Sequence, residues 1–125
     1  MERKEQIGTE PSAFFDRVSL WERVDNDMDL LRDLVRIFGQ EYPVIVQKLD
    51  AAMEARNGAE IAKLGHKVRG AALQFSAHRV AATAARLEAL GTAGSLDGMN
   101  EACEELKAGI AELLDGLRLM TNGAR

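Results

Sequence analysis

The sequence predicts an all-α fold: an antiparallel up-down-up-down four-helix bundle with a short N-terminal capping helix. Three observations carry that expectation. Only 2 of the 125 residues are proline, and long Ala/Leu/Glu/Arg stretches favour helix. Four segments repeat apolar residues at alternating steps of three and four, the spacing of one helical face. The connections between them are short, as in a bundle, and no element reads as a strand.

Residues 1–10 are polar and read as a flexible tail. The domain is expected to span 11–121, with 122–125 as a C-terminal tail. Pro11 and Ser12 introduce the short capping helix, to which Phe14, Phe15, Val18 and Trp21 give apolar contacts. Asp25-Asn26-Asp27 is a turn, and Asp27 is a natural N-cap because its carboxylate can accept from free backbone donors. The next stripe is Leu31, Leu34, Phe38, Tyr42, Ile45, Leu49 and Ala52. Pro43 lies inside it and crowds the carbonyl of Gly39, so a kink is expected rather than a stop. Asn57-Gly58 is expected to end this helix.

The third helix should begin near Ala59 and run on Ile61, Leu64, Val68, Ala72 and Phe75. It ends near Ser76-Ala77, with Ser76 expected to cap the fourth helix. That helix carries Val80, Ala84, Leu87 and Leu90 until Gly91 to Gly94 break it. Ser95 is the expected cap of the last helix. Its stripe Met99, Cys103, Leu106, Ile110, Leu113, Leu117, Met120 is the longest unbroken three-four alternation in the chain.

Composition bounds the function. The net charge is −4, whereas a nucleic-acid binder carries a basic excess. A single cysteine, Cys103, rules out an internal disulfide and points to a reducing compartment. No apolar run has the length of a membrane span, and the first residues lack the apolar stretch of a signal peptide. The cytoplasm is the expected location.

The chemistry-bearing stretch is LGHKVRG, residues 64–70. With about 100° per residue, His66 falls at about 140° from Ile61, while the core stripe clusters within roughly 60° of it. The imidazole should therefore face solvent or the rim of a neighbouring helix. Lys63, Lys67 and Arg69 flank that face. Such charges oppose protonation of the ring but favour an anionic product, should the neutral imidazole attack phosphorus. Glycine inside a helix costs about 1 kcal/mol against alanine, so Gly65 and Gly70 need a reason. Room for an incoming phosphoryl group or a partner is one, and close helix packing is another. An exposed histidine among lysines is also often only a surface residue.

The stretch LGHKVRGAALQFSAHRVAATAARLEALG resembles the active-site helix pair of histidine-containing phosphotransfer (HPt) domains. The family pattern sets a basic residue three places after the histidine, glycine at four, an amide at eight and a small residue at ten. Here these are Arg69, Gly70, Gln74 and Ser76, where lysine is usual at the first position and glycine at the last. The upstream run, including Tyr42-Pro43, is similar to the family's first helices, so the resemblance covers roughly residues 14–118. It implies that His66 is the phosphoacceptor, that Lys67, Arg69 and Gln74 stabilise the phosphate, and that Gly70 gives steric access. Counting without gaps puts Glu88 where the family orients the histidine through its far nitrogen. The plainer reading of Glu88 is an exposed pair with an arginine. An apolar docking patch is also implied, with Phe14, Phe15, Val18 and Leu73 as candidates beside Lys63; the plainer reading of the two phenylalanines is that they pack into the bundle end.

Other chemistries find little support. His66 and His78 are twelve residues apart without metal-ligand spacing, so no metal or cofactor is expected. His78 reads as a surface residue, and Cys103 as a buried inert thiol. No glycine-rich phosphate loop follows a strand, and no Thr/Asn-Pro follows His66, so self-phosphorylation is not expected. The reading is a monomeric carrier that relays a phosphoryl group between receiver-domain aspartates of response regulators or hybrid kinases, with magnesium on the receiver only. The rival is a helical adaptor that binds a receiver domain or other signalling partner through the same face without being phosphorylated. A third option is the histidine domain of a larger kinase.

Overall fold

Five helices occupy residues 15–122, the part of the chain that the computed structural model describes, and no strand occurs among these residues. They are α1 Arg17–Arg23, α2 Met28–Glu54, α3 Gly58–Gln74, α4 His78–Ala93 and α5 Met99–Asn122. The expected tail 1–10, the helix start at Pro11-Ser12, Phe14 and residues 123–125 lie outside the described residues. Asn122, expected in the tail, is still helical.

The four long helices form a closed ring of neighbours: α2 packs on α3, α3 on α4, α4 on α5, and α5 on α2. Each turns its apolar stripe inward. Leu31, Phe38, Ile45 and Leu49 are buried on α2, with Leu34 and Tyr42 half-buried at its edge. Ile61, Leu64, Val68 and Ala72 fill the α3 side, and Phe75 meets Phe38 with ring centroids 5.3 Å apart. On α5 every stripe residue from Met99 to Leu117 is buried, Cys103 included, and Met120 is half-buried. Burial raises the Cys103 thiol pKa, as expected of an inert core sulfur. Lys107 of α5 clasps Asp50 of α2 at 2.8 Å and Glu104 at 3.0 Å, and these hydrogen bonds, Asp50 first, hold its pKa above the ordinary lysine value.

Local sequence signals and the observed caps agree in part. Asp27 caps α2 by accepting from the Leu30 amide at 3.0 Å. Helix α2 runs through Pro43 from Met28 to Glu54. Asn57-Gly58 does not end it. Arg56 takes the left-handed turn (φ 54°), and Asn57 caps α3 by accepting from the Glu60 amide at 3.1 Å. Ser76 does not cap α4, whose N-cap Ala77 makes no side-chain bond. Ser76 instead takes the left-handed turn after α3 (φ 57°), and its hydroxyl is 2.8 Å from that of Ser19 on α1. Ser95 caps the end of α4, not the start of α5: its amide donates to the Leu90 carbonyl at 3.0 Å, after the left-handed Gly94.

Helices α3 and α4 approach most closely, and glycine is the cause. A Cβ on Gly91 would sit 2.7 Å from the Gly58 carbonyl oxygen and 2.8 Å from the Ala62 nitrogen. Helix α4 ends at Ala93 with Gly94 left-handed, inside the expected Gly91–Gly94 break, and Gly91 itself is still helical. A Cβ on Gly65 would meet the Ala84 carbonyl oxygen at 3.0 Å and the Glu88 nitrogen at 3.1 Å. No helix among the described residues is long and apolar enough to cross a membrane.

Candidate functional site

His66 stands midway along α3, with 65% of its side chain exposed. The core takes Ile61, Leu64, Gly65, Val68 and Ala72 from the opposite side of the helix. The close contact at Gly65 brings α4 near enough for Glu88 to reach the ring. Glu88 Oε2 is 3.2 Å from His66 Nδ1. A carboxylate only accepts, so Nδ1 carries the hydrogen in that bond, which in the neutral ring leaves the lone pair on Nε2. The other Glu88 oxygen lies 3.9 Å from an Arg69 guanidinium nitrogen. Glu88 thus bridges the histidine and the arginine, while Arg86 pairs elsewhere, with Glu105 at 3.0 Å.

The two glycines of the stretch have different reasons. Gly65 is explained by packing. Gly70, one turn beyond His66 on the same face, has nothing within 4 Å of where a Cβ would stand. No neighbour among the described residues requires glycine there.

On the other side of His66 a groove of about 530 Å³ runs between α2 and α3. His66, Lys63 and Lys67 line it from α3, and Lys48, Val44 and Glu41 from α2. Lys48 is a cation of the site that the sequence reading missed. The steps 41, 44 and 48 mark one flank of α2, but a single helix does not say which neighbour that flank faces. Gln74 is not brought to the ring. It ends α3 two turns further on, about 12 Å along the axis.

The docking candidates divide. Val18 and Leu73 are exposed, at 48% and 39%. Phe15 is only 5% exposed and packs 3.0 Å from the space above Gly116, so it belongs to the core and offers no docking surface. Phe14 is outside the described residues. His78 opens α4 and is exposed. Among the described residues no group of three or more His, Cys, Asp or Glu is placed to hold a metal ion.

Comparison with known proteins agrees with the geometry. Neither a curated protein nor a solved structure matches the chain. The family model described as Hpt domain matches residues 33–116, which takes in α3, α4 and most of α2 and α5. Such domains are helical bundles that carry phosphoryl groups in two-component phosphorelays, where they meet the receiver domains of response regulators. The match covers more than half of the chain and includes the exposed histidine, its carboxylate partner and the flanking cations of α3, and the chain belongs to the Hpt domain family.

Proposed function

We propose that this protein relays a phosphoryl group between receiver-domain aspartates through a phosphohistidine at His66. The observation that carries the reading is the pairing of His66 Nδ1 with Glu88 at 3.2 Å on a ring that is 65% exposed. With Nδ1–H donating to Glu88, the Nε2 lone pair is the nucleophile. It attacks phosphorus of the aspartyl phosphate. The N–P bond forms as the P–O bond breaks, and the bonding pair leaves with the aspartate carboxylate. The ring gains positive charge, which the Glu88 carboxylate offsets through Nδ1–H.

Lys67 and Arg69 stabilise the phosphate oxygens. Arg69 is held near the site by Glu88 at 3.9 Å and is 42% exposed, so it is free to turn outward. The open space at Gly70 admits the phosphoryl group or the receiver that delivers it. Gln74, two turns away, contacts the receiver rather than the ring. Magnesium belongs to the receiver, and this chain acts as a cytoplasmic monomer without a cofactor of its own or autokinase activity. Residues 11–121 form one domain. The short connections and the ring of helix neighbours support an antiparallel up-down-up-down path with α1 as its cap.

The test is transfer from receiver domains carrying labelled aspartyl phosphate. The chain should acquire acid-labile, alkali-stable label, and His66→Gln should acquire none. Label that persists in His66→Gln moves the site elsewhere. Absence of label with every receiver that binds the chain favours the unphosphorylated adaptor.

A further inference from the structure

Gly39 stands half-buried near the middle of α2, inside a helix that is unbroken from Met28 to Glu54. Glycine weakens a helix interior relative to alanine, so it needs a reason there. A Cβ on Gly39 would stand 2.7 Å from Arg118 Nη2 of α5, and the next atoms, Arg118 Cζ and Leu114 Cδ2, are at 3.8 Å. The missing side chain is therefore the seat of one guanidinium. No acid explains why that guanidinium is held on α2. Among the described residues it makes neither an ion pair nor a hydrogen bond.

Two more guanidiniums share the place. Arg32, Arg36 and Gly39 fall within about 60° of one another around α2. With Arg118 they line a groove of about 400 Å³ between α2 and α5, and no Asp or Glu among the described residues lines it. Arg32 donates from Nε to the Thr121 carbonyl at 3.1 Å, which closes the end of α5, and Arg32 Nη1 lies 3.6 Å from Asp29. Arg36 reaches Asp33 at 3.4 Å. Both acids sit outside the groove on the exposed surface of α2, and long, exposed pairs of this kind contribute little. Capping accounts for one nitrogen of one arginine. It leaves three like charges side by side, each opposing the others. On a chain of net charge −4 that is a local reversal of sign.

We propose that the α2–α5 groove binds a phosphate-type oxyanion, as free orthophosphate or as the phosphate of a small phosphomonoester. A guanidinium is a planar fork of donors that takes such oxygens in pairs, which an ammonium cannot do. Arg118, seated against Gly39, is the fixed element. Arg36 turns from Asp33 to the ligand, and Arg32 offers the terminal nitrogens that Thr121 leaves. The Gln40 amide, also in the lining, is a further donor. The site lies on the α5 flank of α2. The His66 groove lies on the α3 flank and takes its cations from lysines, although Gln40 lines both. The proposal therefore stands apart from the phosphotransfer reading. A nucleic-acid strand or a membrane surface would need a broad basic face, and here the cations are confined to one groove.

The experiment titrates the full chain with inorganic phosphate, and separately with glycerol 3-phosphate, at an ionic strength held constant with chloride. The Nε–H resonances of Arg32, Arg36 and Arg118 should shift saturably, and those of Arg79 and Arg86 on α4 should not. Arg118→Gln and Arg36→Gln should each weaken binding by about tenfold, while Arg86→Gln should bind like the parent. Gly39→Ala should melt no lower than the parent yet bind more weakly, because its methyl takes the place of the guanidinium. Asp33→Asn should bind more tightly, because it frees Arg36. Tighter binding of glycerol 3-phosphate names a monoester as the ligand, and binding no tighter than phosphate names the free ion. Shifts that grow without saturation, or saturable binding that persists unchanged in Arg118→Gln, would overturn the proposal. So would saturable shifts confined to Lys63 and Lys67, or capture by anionic vesicles without saturable phosphate binding.

Discussion

Gly70→Ala should make the protein more stable and a poorer phosphoryl carrier. The opposed signs follow from one feature, the open space at Gly70. Nothing lies within 4 Å of the added methyl, so the native state accepts it without strain. Gly70 is inside α3, four residues before its last residue Gln74. Alanine there recovers the helix-propensity deficit of glycine, about 1 kcal/mol. For a domain of this size that raises the melting temperature by roughly 4 °C. The methyl points back toward the preceding turn, which is the turn of His66. It enters the space that the phosphoryl group or receiver is proposed to use. A lost fit worth about 1.4 kcal/mol in the transition state is a tenfold slower transfer. Thermal melts and single-turnover transfer from a phosphorylated receiver give the two numbers. A more stable variant that transfers at the parent rate would refute the access argument for Gly70. A less stable variant would refute the open space itself.

Glu88→Ala removes the acceptor for Nδ1. An exposed hydrogen bond of about 1 kcal/mol is lost, which corresponds to transfer about fivefold slower. Glu88→Gln keeps an acceptor oxygen and should recover much of the rate, and the nitrogen shifts of His66 should report the freed tautomer only in the alanine variant. Gly65→Ala contrasts with Gly70→Ala. Its methyl would stand 3.0 Å from the Ala84 carbonyl oxygen and 3.1 Å from the Glu88 nitrogen, forcing α3 and α4 apart at a cost of about 1–3 kcal/mol. Urea melts should show lower stability, and transfer should fall because Glu88 recedes from His66. Ser76→Ala loses the bond to Ser19 but keeps the strained left-handed φ of 57°, so it should lose about 1 kcal/mol. Ser76→Gly loses the same bond and gains a residue suited to that φ, so denaturant melts should find it more stable than the alanine variant.

Much of the fold and part of the site are legible in the sequence, for reasons that differ by residue. Leu31 to Ala52 and Met99 to Met120 declare helices because each stripe is set by periodicity within one segment. The same arithmetic turns His66 away from the core, and the structure leaves it 65% exposed. Caps are less legible. Ser76 and Ser95 are good N-cap residues by type, yet each closes the preceding helix through its backbone amide, a role that residue type does not announce. Gly65 and Gly70 look alike in LGHKVRG. Only the position of α4 separates them, the first pressed against Ala84 and Glu88, the second open. Lys48 and Val44 join His66 only across the α2–α3 interface, and one helix's period does not identify its neighbours. Phe15 illustrates a choice the sequence leaves open, between a docking patch and the bundle end, which the bundle decides by burying it beside Gly116.

The most direct test of the account is nitrogen NMR of the phosphorylated protein with ¹⁵N-labelled histidine. Phosphorus coupling should appear on Nε2 of His66, with Nδ1 protonated and hydrogen-bonded to Glu88. Coupling on Nδ1, or on either nitrogen of His78, would contradict it.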